Sequence, residues 1–321
     1  MKYIKFLLIV GVLPCLFACE QKLPYPLKET VRSVAIDIAK TPGTDMTLSA
    51  GVTTDNISLT LNIPWQQGDY SMMKEAEVMC VYAPMSGGTK IAMVQTGITS
   101  FPAVVSVNMG TLCSALGVSS PSIGDRMTFV PNVVLNNGMT IPGYIQETGV
   151  YNNAAFSGWE VDFGSARYFS YRAQYVSFAP FYQEKYQGVV TCVENGSPYS
   201  VLVTPLPSTD LPPTMPAGAT PSDLYGMLVD GFWDDGCFLK VWINKLDFSL
   251  IIPAQKISNG GYDYGGLDRD FWFIGINAGS ADVNTSTNVI SFATRIEISN
   301  DNYTGPSGLG WARTFELRFG N

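Results

Sequence analysis

Asn56-Ile57-Ser58-Leu59-Thr60-Leu61-Asn62-Ile63 alternates without a break. Ile57, Leu59, Leu61 and Ile63 fall on one side of an extended chain. Asn56, Ser58, Thr60 and Asn62 fall on the other, which is the period-two signature of a strand with one buried and one wet face. Its surroundings repeat the theme. Upstream, residues 30–38 place Val34, Ile36 and Ile38 on one face. Downstream, 77–83 and 89–96 flank Ser86-Gly87-Gly88, a hairpin signal. Residues 102–109 read as a further strand, 111–116 as one or two helical turns stopped by Gly117, and 126–135 as a strand ending at Asn136-Asn137-Gly138. About seven short strands over 29–145 predict an immunoglobulin-like β-sandwich.

The second half has the same texture. Residues 140–170 are rich in Gly, Asn, Ser and aromatics, and Trp159-Glu160-Val161-Asp162-Phe163 is the one strand-like piece, with Trp159 on its apolar face. Residues 146–173 therefore read as a linker or an edge strand, and 174–321 as a second antiparallel β domain, either sandwich or barrel-like. Strands are expected at 189–193 and 199–204 around an Asn195-Gly196-Ser197-Pro198 turn, and at 224–229, 237–245, 248–252 and 289–298. The last, 314–319, alternates Phe315, Leu317 and Phe319 with Thr314, Glu316 and Arg318. Six prolines between 205 and 221 cannot form a paired strand and predict a stiff projecting loop. Trp242, inside a strand, is expected in the core, and Trp65 is expected to close the first sandwich.

The composition fits an all-β protein outside the cytoplasm: Gly, Pro, Tyr, Phe, Ser and Thr are plentiful and no helical heptads run through it. With 19 basic and 27 acidic residues the net charge is -8. Removing residues 1–18 takes away Lys2 and Lys5 and moves it to -10. That balance argues against nucleic acid and against docking on anionic lipid. The chain has no histidine. Ser-His-Asp and Cys-His catalysis, histidine metal sites and imidazole switching are thereby excluded. Cys80, Cys113, Cys192 and Cys237 allow two disulfides, 80–113 and 192–237, or four buried thiols acting as small hydrophobes.

Residues 1–18 have the zones of an export signal: Lys2 and Lys5, the apolar run 6–13, then Leu16-Phe17-Ala18 before Cys19. The run is short for a bilayer span and Pro14 breaks it. This end resembles the bacterial lipobox, and the resemblance makes Cys19 the lipid-bearing first residue of the mature chain, with 19–28 as its tether. Lipobox, tether and two β domains together resemble the surface lipoproteins of Bacteroidota polysaccharide-utilisation systems. Phe181-Tyr182-Gln183-Glu184-Lys185-Tyr186-Gln187-Gly188, Asp230-Gly231-Phe232-Trp233-Asp234-Asp235-Gly236 and Leu250-Ile251-Ile252-Pro253-Ala254-Gln255 carry the likeness. Val189 stands where a tyrosine-type residue is usual. The resemblance implies an outer-membrane lipoprotein, at the cell surface or on the periplasmic face, that captures glycan beside a transporter. It transfers no catalytic residue.

A sugar is held by aromatic faces, with Asp, Asn, Arg and Gln orienting its hydroxyls. Tyr262, Asp263, Tyr264, Asp268 and Arg269 offer that mixture within a glycine-rich stretch, and Trp233 adds to it. The same tyrosines equally suit the packing of a long loop. Glu160 and Asp162 lie on one face of one segment, whereas a glycosidase needs carboxylates from both sides of the scissile bond. No nucleophile motif, cofactor signature or metal set appears. Asn300-Asp301-Asn302-Tyr303-Thr304-Gly305 lacks the bidentate glutamate of a calcium loop and reads as a turn, which leaves Asp301 a weak calcium candidate. Two expectations follow: a non-catalytic glycan-binding lipoprotein, or a structural or adhesive surface module that binds protein partners.

Overall fold

The computed structural model describes residues 34–320, apart from 65–69, 154–158, 163–164, 169, 234–235, 259, 261, 265, 278 and 303, and apart from the side chains of 159–162, 165–168, 262 and 264. Cys19 and the tether, Trp65, Asp234 and Asp235 therefore lie outside the described residues. So do the side chains of Trp159, Glu160, Asp162, Tyr262 and Tyr264.

The protein is all-β. In chain order the first half carries β1 (Asp37–Lys40), β2 (Leu48–Ser49), β3 (Ile57–Asn62), β4 (Met73–Ala83), β5 (Lys90–Ile98), β6 (Ala103–Val107), a helix (Met109–Leu116) and β7 (Arg126–Leu135). Then come β8 (Thr140–Ile141), β9 (Tyr144–Ile145), β10 (Val150–Tyr151), β11 (Trp159–Asp162), β12 (Ser165–Tyr168) and β13 (Ala173–Phe178). One sheet runs β1-β3-β6 and the other β2-β13-β7-β4-β5. Ile57, Leu59 and Leu61 from the first meet Val78, Cys80 and Phe129 from the second in one buried core. The helix begins where the Asn108 side chain accepts the Thr111 amide at 2.9 Å and ends at Gly117, whose φ of 64° is left-handed.

The stretch 146–173, read as a linker or an edge strand, carries β10, β11, β12 and the start of β13. Strand β8 pairs with β7 at the sheet, and beyond it Tyr144 of β9 buries itself on the outer face against Met79, Val81 and Val130, with Tyr151 of β10 packed beside it. Strand β13 pairs with β7 and buries Ala173 and Tyr175 in the first core, so the second half begins after Phe178 rather than at 174. The shift has a simple cause. Ala173, Tyr175 and Ser177 alternate with exposed or half-buried residues, and that face completes the sandwich.

The second half is an up-and-down meander: β14 (Gly188–Glu194), β15 (Ser197–Pro205), β16 (Leu224–Asp230), β17 (Phe238–Asn244), β18 (Leu250–Ile251), β19 (Gln255–Lys256), the small hairpin β20 (Tyr262–Tyr264) and β21 (Leu267–Arg269), β22 (Phe271–Ile276), β23 (Asp282–Asn284), β24 (Val289–Ser299) and β25 (Pro306–Arg318). Its first and last strands pair, Cys192 opposite Leu317. The sheet edges β18 and β19 are separated only by Ile252-Pro253-Ala254, and both lie beside β17. At that seam Phe238 donates its amide to the Ile257 carbonyl at 2.8 Å. The Gln255 side chain does the rest, accepting the Lys240 amide and donating to the Lys240 carbonyl, each at 2.9 Å. One side chain thus stands in for a length of strand and closes a barrel, because a main-chain amide and carbonyl left bare at a seam would each cost a hydrogen bond. Phe232, Phe273, Phe292 and Phe315 pack its interior, the closest centroids 4.5 Å apart.

Trp242 is buried, but not in that interior. Leu239, Val241 and Ile243 of β17 point inward, which turns Trp242 outward. The proline-bearing segment 205–221 covers it: the indole donates to the Asp210 carbonyl at 3.0 Å, and Lys240 holds the Asp210 carboxylate at 2.6 Å. Gly226 lies opposite, where a Cβ would stand 2.9 Å from the indole nitrogen. The segment is a strap, not a projecting loop. It also reaches the sandwich at Gly218, where a Cβ would come within 2.5 Å of the Gly43 nitrogen. Nearby, Met46 donates to the Leu246 carbonyl at 2.8 Å, and Phe178 meets Phe248 edge-on at 6.1 Å. Sandwich and barrel belong to one compact unit, Val34–Asn321.

All four described cysteines are buried free thiols, Cys80 and Cys113 in the sandwich core and Cys192 and Cys237 in the barrel core. Burial pushes the Cys192 thiol up to about 11 despite a hydrogen bond with Tyr199. These are small hydrophobes rather than reactive groups.

Candidate functional site

One end of the barrel gathers four connections: the β14–β15 turn, the β16–β17 loop, the β20–β21 hairpin and the β24–β25 turn. The β16–β17 loop is anchored from within. Gly231 adopts φ of 77° and Trp233 φ of 74°, and between them Phe232 turns wholly into the core. A left-handed tryptophan is unusual, since its Cβ crowds the backbone. Here the Trp233 amide donates to the Tyr199 hydroxyl at 3.1 Å, which helps hold the conformation.

With Phe232 inside, Trp233 is left half-buried at the rim. Trp311 of β25 lies beside it, centroids 6.1 Å apart and planes tilted by 33°. Phe271 meets Trp233 edge-on at 5.8 Å. The Arg313 guanidinium stacks 5.0 Å above the Trp233 ring and is held in turn by Glu194 at 2.7 Å. Two indoles at a shallow angle, with a guanidinium and a carboxylate beside them, have the chemistry to take the C–H face of a sugar and orient its hydroxyls. Trp233 was legible in the sequence as a candidate. Trp311, Arg313 and Glu194 were not: they come from other strands, and only the β14–β25 closure brings them to it.

The hairpin residues divide. Asp263 and Asp268 are exposed on it. Arg269 is buried, and its guanidinium binds the exposed Asp301 carboxylate at 2.6 Å. That pair joins the hairpin to the β24–β25 turn and occupies Asp301, the weak calcium candidate, with a cation of the chain itself. The turn is built as read, with the Asn300 side chain accepting the Thr304 amide at 3.0 Å. Asp270 closes the hairpin's base, accepting the Gly260 amide and meeting Lys256, both at 2.7 Å. Backbone pairing sets Tyr262 opposite Arg269 and Tyr264 opposite Leu267. Of the residues read as one ligand set, Arg269 is thus a strut, whereas Trp233, Asp263 and Asp268 reach the surface.

Elsewhere, the sandwich carries a cleft of about 490 Å³ between Pro84, Ser86, Lys90, Ser119 and Ser122. Asp125 forms its floor and is fully engaged by the Tyr82 hydroxyl and by the amides of Met85 and Ser122 at 2.8 and 2.7 Å. Burial pushes the Asp125 carboxyl up, but those three donors outweigh it and hold it below the usual range. Asp125 holds the loop together. Among the described residues no helix is long and apolar enough to cross a membrane, and no group of three or more His, Cys, Asp or Glu is placed to hold a metal ion. The sequence matches no known family model and no curated protein.

Proposed function

We propose that this chain is a non-catalytic lipoprotein of the outer membrane, anchored through Cys19, that binds glycan at the loop end of its barrel. On this reading it is of the polysaccharide-utilisation type and serves a neighbouring transporter. The observation that carries the proposal is the Trp233–Trp311 pair, fixed from beneath by Phe232 and flanked by Arg313 and Glu194. An aromatic pair held rigid before binding loses little conformational freedom on meeting a ligand. The lipobox-like Leu16-Phe17-Ala18-Cys19 supports the anchor, and the acidic balance of the chain leaves lipid as the means of attachment.

The test is a glycan panel against the full-length protein in detergent, read by tryptophan fluorescence and calorimetry. Binding is expected to fall at least tenfold in Trp233→Ala and in Trp311→Ala, with the thermal midpoint little changed. Absence of binding to every host and plant polysaccharide would refute the glycan reading. It would turn attention to the exposed cross-strand pair Val189 and Leu202 on the barrel wall, the feature that favours a protein-binding module.

A further inference from the structure

We infer that the loop end of the barrel takes uncharged glycans and rejects those bearing uronate or sulfate groups. The inference rests on the glycan reading above and adds its substrate class. It comes from the distribution of charge around the tryptophan pair. Among the described residues of this end there are four cations, and each already holds a carboxylate: Lys256 on Asp270 at 2.7 Å, Arg269 on Asp301 at 2.6 Å, Arg295 on Glu297 at 3.0 Å, and Arg313 on Glu194 at 2.7 Å. To these pairs the same end adds Asp230 at the close of β16 and Asp263 on the hairpin, both exposed. The balance is negative where a ligand would arrive.

An anionic sugar needs a cation to spare. Arginine recognises carboxylate or sulfate through paired N–H donors and its positive charge, and a guanidinium paired with a glutamate has that charge already compensated. Arg313, which lies over the Trp233 ring, is in that position. Asp230 and Asp263 meanwhile repel a negative ligand during approach. An uncharged ring faces neither cost. Its C–H face needs only the indoles, and Glu194 and the exposed aspartates can accept from its hydroxyls.

The mechanism is electrostatic, so salt separates it from shape. Full-length protein in detergent is titrated with uncharged hexasaccharides of glucose, mannose and xylose, and with oligogalacturonate and a sulfated hexasaccharide, at 20 and 500 mM NaCl. At least one uncharged ligand is expected to bind, with affinity changing less than about twofold between the two salt concentrations. The anionic ligands are expected to bind at least tenfold more weakly at 20 mM, the gap narrowing at 500 mM as the field is screened. Tight binding of an anionic ligand at 20 mM that is lost in Trp233→Ala would overturn the substrate class and leave the glycan site standing. Failure of every ligand to bind, or binding indifferent to both Trp233→Ala and Trp311→Ala, would overturn the site along with the class.

Discussion

Replacing Phe232 by alanine tests how the barrel presents its rim. The ring has no exposed surface and sits with centroids 4.5 Å from Phe315, 6.2 Å from Phe292 and 6.3 Å from Phe273. Truncating a buried phenylalanine removes its transfer free energy and leaves a cavity, a loss of about 3–5 kcal/mol. The surrounding rings belong to strands fixed on both sides, so the site collapses little and the upper part of that range applies. For a unit of this size that corresponds to roughly 6–9 °C in the thermal midpoint. Phe232→Leu keeps most of the volume and loses the aromatic geometry, at about 1–2 kcal/mol. The assay is thermal and urea unfolding followed by near-ultraviolet circular dichroism, with tryptophan emission as a local probe. Trp233 follows Phe232 directly, so its emission should shift to the red in Phe232→Ala before global unfolding begins. A midpoint within about 2 °C of the parent would refute the view that this ring anchors the loop.

Gln255→Leu removes both hydrogen bonds to the Lys240 main chain and should cost about 1–3 kcal/mol, with faster amide exchange at Lys240; unchanged exchange there would deny the side chain its place in the seam. Trp242→Ala should expose the strap to limited proteolysis between 205 and 221, whereas Asp210→Ala, which loses a partly exposed ion pair, should cost no more than about 1 kcal/mol. Asp45→Asn and Asp125→Asn should have opposite signs at pH 7. Burial, with the carboxylates of Asp55 and Asp223 adding to it against the Asn56 amide, raises the Asp45 carboxyl. Its contribution is therefore complete below the unfolded carboxylate range, about 4, and lost as pH rises through the folded value, so Asp45→Asn stabilises at neutral pH and the gain vanishes in acid. Asp125, held low by its donors, contributes above that range and loses its contribution as pH falls through the folded value, so Asp125→Asn destabilises at pH 7; midpoints measured from pH 3 to 8 check both. Cys19→Ser should move the protein from the membrane fraction to the soluble fraction with its near-ultraviolet spectrum intact, and a protein still in the membrane fraction would contradict the lipid anchor.

The strand content was legible because alternation records which face is wet. Ile57, Leu59 and Leu61 bury as the pattern requires, and Ile290, Phe292, Ile296 and Ile298 do the same in β24. Trp242 shows the limit of that reading. Burial could be inferred from its size and setting, but not on which side of the sheet it would occur, since the cover came from a strap more than twenty residues away in sequence. The choice between linker and edge strand for 146–173 stayed open in the sequence for a related reason. A short segment such as β10 has too few residues to show a period, and its place is set by the bare outer face of β4 and β7.

By itself the sequence determined the class of fold, the position of most strands, the want of imidazole chemistry and the lipobox-like start, because each depends on composition or on neighbours along the chain. Tertiary structure decided what depends on strands meeting. It closed the second half into a barrel by pairing β14 with β25, and it gave Gln255 a backbone to bind. It buried Arg269 and paired it with Asp301, and it brought Trp311, Arg313 and Glu194 to Trp233. Alternation assigns a side chain to a face, but the register between strands distant in sequence assigns it a neighbour, and a binding site is made of neighbours.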